Sequence, residues 1–125
     1  MRASTIKTIL IIDDSRVSRM FARQYILALH PDWLIEEADS GEQALARLAV
    51  TPIHLILLDV NMPGIGGLAT AVQLRELHAH IPVCIISANI QNATRDKALA
   101  LGAQFIEKPI TQLRIAQALA LVEDA

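Results

Sequence analysis

Residues 53–59 read Ile-His-Leu-Ile-Leu-Leu-Asp, a short apolar run that ends on a carboxylate. A strand with one wet face alternates apolar and polar residues. This run hardly alternates, which marks a strand covered on both faces, as in a parallel sheet. Working outward, similar segments recur at Thr8–Ile12, Leu34–Ala38, Val83–Ser87 and, more weakly, Gln104–Glu107. Helical periodicity fills the gaps. One helix is expected from about Ser15 to Leu29, stopped at His30-Pro31 because proline cannot continue it. A second starts at Ser40, with Gln43 three residues on as in a capping box, and ends before Pro52. The others are expected over about Gly67–His78, Asn92–Leu101 with Gly102 as a C-terminal cap, and Thr111–Val122. Five βα repeats with right-handed crossovers put helices on both faces of one sheet. The expected fold is a single doubly wound α/β domain over 1–125, with its core at about 7–122.

Composition narrows the functional classes. The chain is 53% hydrophobic but only 3% aromatic, so its core is built of Ile, Leu, Val and Ala. A net charge of -2 supplies no field to draw in nucleic acid or an anionic membrane. No run approaches the ~18 apolar residues of a membrane span. The single cysteine, Cys84, lies in an apolar run and reads as a buried, inert thiol; one cysteine leaves no internal disulfide, which fits a reducing compartment. The first residues lack a signal-peptide pattern, and the expectation is a cytoplasmic protein.

In a doubly wound sheet, ligands bind beyond the carboxyl ends of the strands. Those ends are where the chemistry collects: Asp13-Asp14 after the first strand, Asp59 after the third, Ser87-Ala88 after the fourth, Lys108-Pro109 after the fifth. Each is ordinary alone, since acids after strands often cap helices or form turns. Together they converge three carboxylates, a hydroxyl and an ammonium on one edge. Clustered carboxylates take up protons or recruit a cation, and an all-oxygen site suits Mg²⁺ (or Mn²⁺). No His or Cys cluster offers a zinc site. With a cation present, Asp59 is a plausible nucleophile toward phosphorus, with Lys108 and Ser87 on the phosphoryl oxygens and the small Ala88 leaving room beside them.

The motifs Ile11-Ile12-Asp13-Asp14-Ser15, Leu57-Leu58-Asp59-Val60-Asn61-Met62-Pro63-Gly64, Ile85-Ile86-Ser87-Ala88 and Phe105-Ile106-Glu107-Lys108-Pro109 resemble the receiver domain of response regulators, the CheY-like family, over essentially the whole chain. The resemblance implies a five-stranded parallel sheet of order 2-1-3-4-5 flanked by five helices. It implies Asp59 as phosphoacceptor in a two-component phosphorelay. It implies metal ligation by Asp14, Asp59 and the Asn61 backbone carbonyl, with Asp13 acting through water. Lys108, Ser87 and Ala88 match the phosphoryl-binding positions, Ser87 and Phe105 the switch pair, and Pro109 a cis-proline. The donor would be a histidine kinase or histidine phosphotransfer protein, and the output a protein contact on the helix 4–strand 5–helix 5 surface. Such a domain promotes its own phosphorylation and dephosphorylation and is not a conventional turnover enzyme. Two positions depart from the family: Phe105 lacks the hydroxyl of the frequent tyrosine, and Gly66 stands where Asp is common.

Two rival classes are disfavoured by particular residues. A haloacid-dehalogenase-type phosphatase needs a second acid two residues after the nucleophile, where this chain has Asn61. A flavin-binding module needs a phosphate-cradling loop after the first strand, where Asp13-Asp14 would repel the phosphate. Two surface features remain. Arg16, Arg19 and Arg23 form a stripe on the first helix, either a solvated face or a docking strip for an acidic partner. The last helix carries apolar residues on two sides (Leu113, Ala116 and Ala120 against Ile115, Leu119 and Val122), so its outer side is expected in a homodimer or partner contact.

Overall fold

The structure, a computed structural model, describes residues 6–60, 67–88 and 92–123, with backbone only for 67, 68 and 92–95. Residues 61–66, Asn61 and Gly66 among them, lie outside the described residues. The element order is β1 (Thr8–Ile12), α1 (Arg16–Leu29), β2 (Leu34–Ala38), α2 (Gly41–Val50), β3 (Leu55–Asp59), α3 (Gly67–Leu77), β4 (Val83–Ser87), α4 (Asn92–Ala100), β5 (Gln104–Glu107) and α5 (Gln112–Leu119). All neighbouring strands are parallel, in the order β2-β1-β3-β4-β5.

The three continuously apolar strands occupy the middle of the sheet, and every residue of β1, β3 and β4 is buried. Alternation along each strand then sorts the core into two layers. Leu10, Ile12, Ile56, Leu58, Val83 and Ile85 pack with Ala44, Leu48, Ala71, Leu74 and Ala98 of α2, α3 and α4. Ile9, Ile11, Leu55, Leu57, Cys84 and Ile86 pack with Ala22 and Ile26 of α1 and with Ile115, Ala118 and Leu119 of α5. Burial pushes the Cys84 thiol up to about 12, consistent with an inert core residue.

The helix starts follow side-chain chemistry. Ser15, Ser40 and Thr111 accept the N–H of Ser18, Gln43 and Arg114, satisfying donors that the first helical turn leaves unpaired. Gln43 also reaches back to the Asp39 N–H at 2.7 Å. Gly102 has φ +79, a left-handed conformation that ends α4 at little steric cost. Boundaries moved slightly from expectation. β3 begins at Leu55 because His54 makes the first contacts itself: its N–H donates to Thr8 O, and its Nδ1 accepts the Thr8 N–H at 2.9 Å. α5 ends at Leu119, with the following residues in a turn. Among the described residues no helix is long and apolar enough to cross a membrane.

Candidate functional site

Register brings the acids together. Ile12 pairs with Leu58, so the next residues, Asp13 and Asp59, leave neighbouring strands at the same height. Parallel strands lie ~4.8 Å apart, which is within reach for two carboxylates. One oxygen each from Asp13, Asp14 and Asp59 lies within 4.8 Å of the others, the one such cluster among the described residues. Asp13 and Asp59 are each only 4% exposed, whereas Asp14 faces solvent. Burial raises the Asp13 carboxyl from 3.8 to about 6; the Ser15 N–H bonded to it opposes that shift and the nearby Asp59 carboxylate reinforces it. A buried acid that resists ionisation beside a second buried acid is a site short of positive charge. Hard oxygen donors from three carboxylates, one of them open to water, fit a divalent cation such as Mg²⁺.

Lys108 supplies the local cation, with Nζ 3.2 Å from Asp59 Oδ2. Its backbone N–H donates to Ser87 O at 2.9 Å, continuing the β4–β5 ladder past the strand end. The Lys108–Pro109 peptide bond is cis. Arg114, in the first turn of α5, donates to the carbonyls of Glu107 at 2.8 Å and Pro109 at 3.0 Å, so one guanidinium brackets the lysine. Ser87 is fully buried at the end of β4, followed by the exposed Ala88. Phe105 is half-buried against the α2–α3–α4 layer and pairs with Ile85, two residues before Ser87, so both side chains belong to the same face of the sheet. Each proposed site residue except Asn61 and Phe105 thus falls at the carboxyl edge, and Phe105 lies two residues behind it.

Two features were not legible beforehand. The first is an open groove of about 550 Å³ beside Lys108, walled by Phe21 and Tyr25 of α1 and by Ala88, Pro109 and Ile110. Val17, Met20 and Phe21 are 58%, 47% and 45% exposed on the same helix. The sequence signal was the i, i+4 series Val17, Phe21, Tyr25, displaced from the inward pair Ala22 and Ile26. The second concerns the arginine stripe. Arg19 and Arg23 are both ion-paired to Glu37 of β2, at 2.8 and 3.2 Å, so two of the three arginines are engaged within the chain.

A doubly wound parallel sheet with an acid cluster and a lysine at its carboxyl edge places the chain in the class of open α/β proteins that bind ligands at that edge. A family model described as the response regulator receiver domain matches residues 9–120. The chain belongs to that family, the receiver domains of two-component systems, in which the phosphoacceptor role is general. It is 33% identical over 105 residues to the sensor protein EvgS of Escherichia coli, covering 83% of this chain but 9% of that protein. It is 28% identical over 115 residues to the two-component response regulator ORR41 of Oryza sativa, covering 90% of this chain and 91% of that one. The response regulator protein TrrA of Thermotoga maritima, solved in complex with Mg²⁺-BeF, superposes with TM-score 0.79 at 23% identity, covering 93% of this chain and 98% of that one.

Proposed function

We propose that Asp59 accepts a phosphoryl group from a phosphohistidine of a histidine kinase or histidine phosphotransfer protein, in a Mg²⁺- (or Mn²⁺-) dependent reaction in the cytoplasm. The observation that carries this reading is the Asp59 carboxylate, buried at the strand end, tied to Lys108 on one oxygen and clustered with Asp13 and Asp14. The cation ligands assigned are Asp14, Asp59 and the Asn61 carbonyl, with Asp13 acting through water; Asn61 itself lies outside the described residues. A bound divalent ion supplies charge neutralisation at the phosphoryl oxygens, and the complex of TrrA with Mg²⁺-BeF supports such a site here.

The chain's own residues do the rest. An Asp59 oxygen attacks phosphorus as the bond from phosphorus to the donor imidazole nitrogen breaks. The electron pair leaves on the imidazole, and an acyl phosphate remains on Asp59. Lys108 is placed to hold a phosphoryl oxygen, and Ala88 leaves space beside it. Ser87 is buried at the end of β4 in this state, and its hydroxyl moves to contact the phosphoryl group. Phe105, on the same face, repacks with it. Phosphorylation then biases a two-state element and alters the α4–β5–α5 surface for protein output. Asn61 in place of a second acid favours a self-dephosphorylating acceptor over a turnover phosphatase.

The apolar groove beside Lys108 supports a protein donor that seats against α1 while its phosphohistidine approaches Asp59. On α5 the buried residues are Ile115, Ala118 and Leu119, so the outer side is that of Leu113, 70% exposed. A homodimer through α5 would have to use this side.

Intact-mass measurement after acetyl phosphate and Mg²⁺ tests the acceptor. One added phosphoryl mass in wild type, absent in Asp59→Ala and after EDTA, is expected. No addition in wild type, with no beryllofluoride binding either, would replace this reading with that of a protein-binding module.

A further inference from the structure

The acidic pair after β1 is held by more than its own strand. We infer that Arg19 is a positioning residue for the cation site, fixing the Asp13–Asp14 peptide and with it the direction of both carboxylates; this rests on the reading of Asp13, Asp14 and Asp59 as cation ligands. Arg19 Nη1 donates to the Asp13 carbonyl oxygen at 2.6 Å. Its Nε donates to Glu37 Oε1 at 2.8 Å, and Arg23 Nη1 holds the other carboxylate oxygen of Glu37 at 3.2 Å. The Arg19 side chain is only 16% exposed. A planar guanidinium presents its donors at fixed angles, so anchoring one edge on β2 aims the other at the loop.

Two further polar atoms of Asp13 are restrained as well. Its N–H donates to Ala38 O at 3.0 Å, and its Oδ1 accepts the Ser15 N–H at 2.9 Å. Asp13 is thus pinned from β2, from α1 and from the helix start, and Arg19 supplies the contact that fixes the peptide plane leading into Asp14. Asp14 is the exposed member of the cluster, so it depends most on that plane for its direction. Loss of contacts that orient metal ligands costs roughly 10–100-fold in affinity.

Charge and position predict opposite signs, which makes the inference decidable. A guanidinium near a cation site repels the metal. Acting as a background charge alone, Arg19 would weaken binding, and its neutralisation would tighten it. Acting as a positioning group, its neutralisation loosens binding. Mn²⁺ affinity, read from the free-ion paramagnetic resonance signal with Mg²⁺ competition, is measured for wild type, Arg19→Gln, Arg19→Lys and Arg23→Gln, beside metal-free thermal unfolding. Arg19→Gln is expected to bind about tenfold more weakly. Arg23→Gln removes the same charge and shares Glu37 without touching Asp13, and is expected to stay within about twofold of wild type. Arg19→Lys keeps the charge but not the fork, and is expected to recover part of the loss, remaining about threefold weaker. Equal or tighter binding by Arg19→Gln, or an equal loss in Arg23→Gln, overturns the inference while leaving the cation site standing. Should Arg19→Gln fail to fold, Arg19→Lys decides alone, and unchanged affinity overturns the inference. Absence of Mn²⁺ binding by wild type overturns the cation-site reading itself and this inference with it.

Discussion

Asp13 is the residue on which the site's electrostatics are most visible. Its carboxyl titrates near 6 in the fold, against 3.8 ordinarily, chiefly because burial disfavours the charged form. The native state therefore binds more protons than the unfolded chain between these values. The contribution of Asp13 to the stability of the metal-free protein falls as pH rises from about 4 to about 6 and levels off above that, a loss of at most ~3 kcal/mol at 1.36 kcal/mol per unit. Urea unfolding at pH 5 and pH 7 without metal tests this. Asp13→Asn, which keeps an acceptor for the Ser15 N–H, is expected to flatten that step, and the difference between the two proteins isolates this one carboxyl. An identical pH slope in both would show that Asp13 ionises normally. Saturating Mg²⁺ is expected to reverse the order at pH 7, because the ion binds only the ionised cluster of the folded chain. Asp13 and Asp59 were legible in the sequence because each stands where an apolar strand stops, a mark local to the chain; Lys108 follows the weaker segment Gln104–Glu107 and was legible as part of the set of strand ends. Arg19 was legible only as part of a stripe. Its partners, Asp13 O and Glu37, lie 6 and 18 residues away, and periodicity does not say which side of a helix meets which strand.

At the scale of elements, the helices on one face are spaced by their smallest residues. Gly41 opens α2 against α3, where a Cβ would stand 2.5 Å from Thr70 Oγ1 and 3.3 Å from Thr70 Cγ2. Thr70 is fully buried, so it cannot swing out to solvent to make room. Gly41→Ala must therefore push the helices apart or distort a rotamer, an overpacking cost of about 1–3 kcal/mol. For a domain of this size the midpoint is expected to drop by roughly 5–10 °C in a thermal melt. In a Thr70→Ala background the same substitution should cost much less, because the two residues share one space. Additive costs would mean that the clash is relieved elsewhere. The cap at Ser40 was readable from sequence spacing, whereas this close approach was not. Gly41 follows a cap and looks like any helix start; only the packing of α3 onto α2 gives it a second constraint.

At the scale of the whole molecule, the sheet divides the surface into regions to which the proposed function gives separate duties. The carboxyl edge holds the acids and Lys108. The groove of Phe21, Tyr25 and Ile110 opens beside that edge, while Leu113 stands on the outer side of α5. On the function proposed above, a phosphohistidine donor covers the first region, whereas an output partner or second copy uses the Leu113 side of α5. The two surfaces are therefore expected to separate experimentally. Phe21→Ala should slow phosphotransfer from a cognate phosphohistidine protein about tenfold, as loss of an aromatic contact does, and leave acetyl phosphate labelling unchanged, since a small donor needs only the site. Leu113→Asp should leave both phosphorylation rates unchanged and act only on self-association, followed by sedimentation with and without beryllofluoride. If Phe21→Ala slowed both donors equally, the groove would be supporting the site's structure instead of receiving a partner. A wild type that stayed monomeric at high concentration in both states would remove the α5 dimer and leave that face for a different protein. The separation rests on the faces the two helices expose and not on where they start: α1 begins after Asp13-Asp14 and α5 after Lys108-Pro109, both at the carboxyl edge, but Phe21 lines the groove whereas Leu113 points away from it.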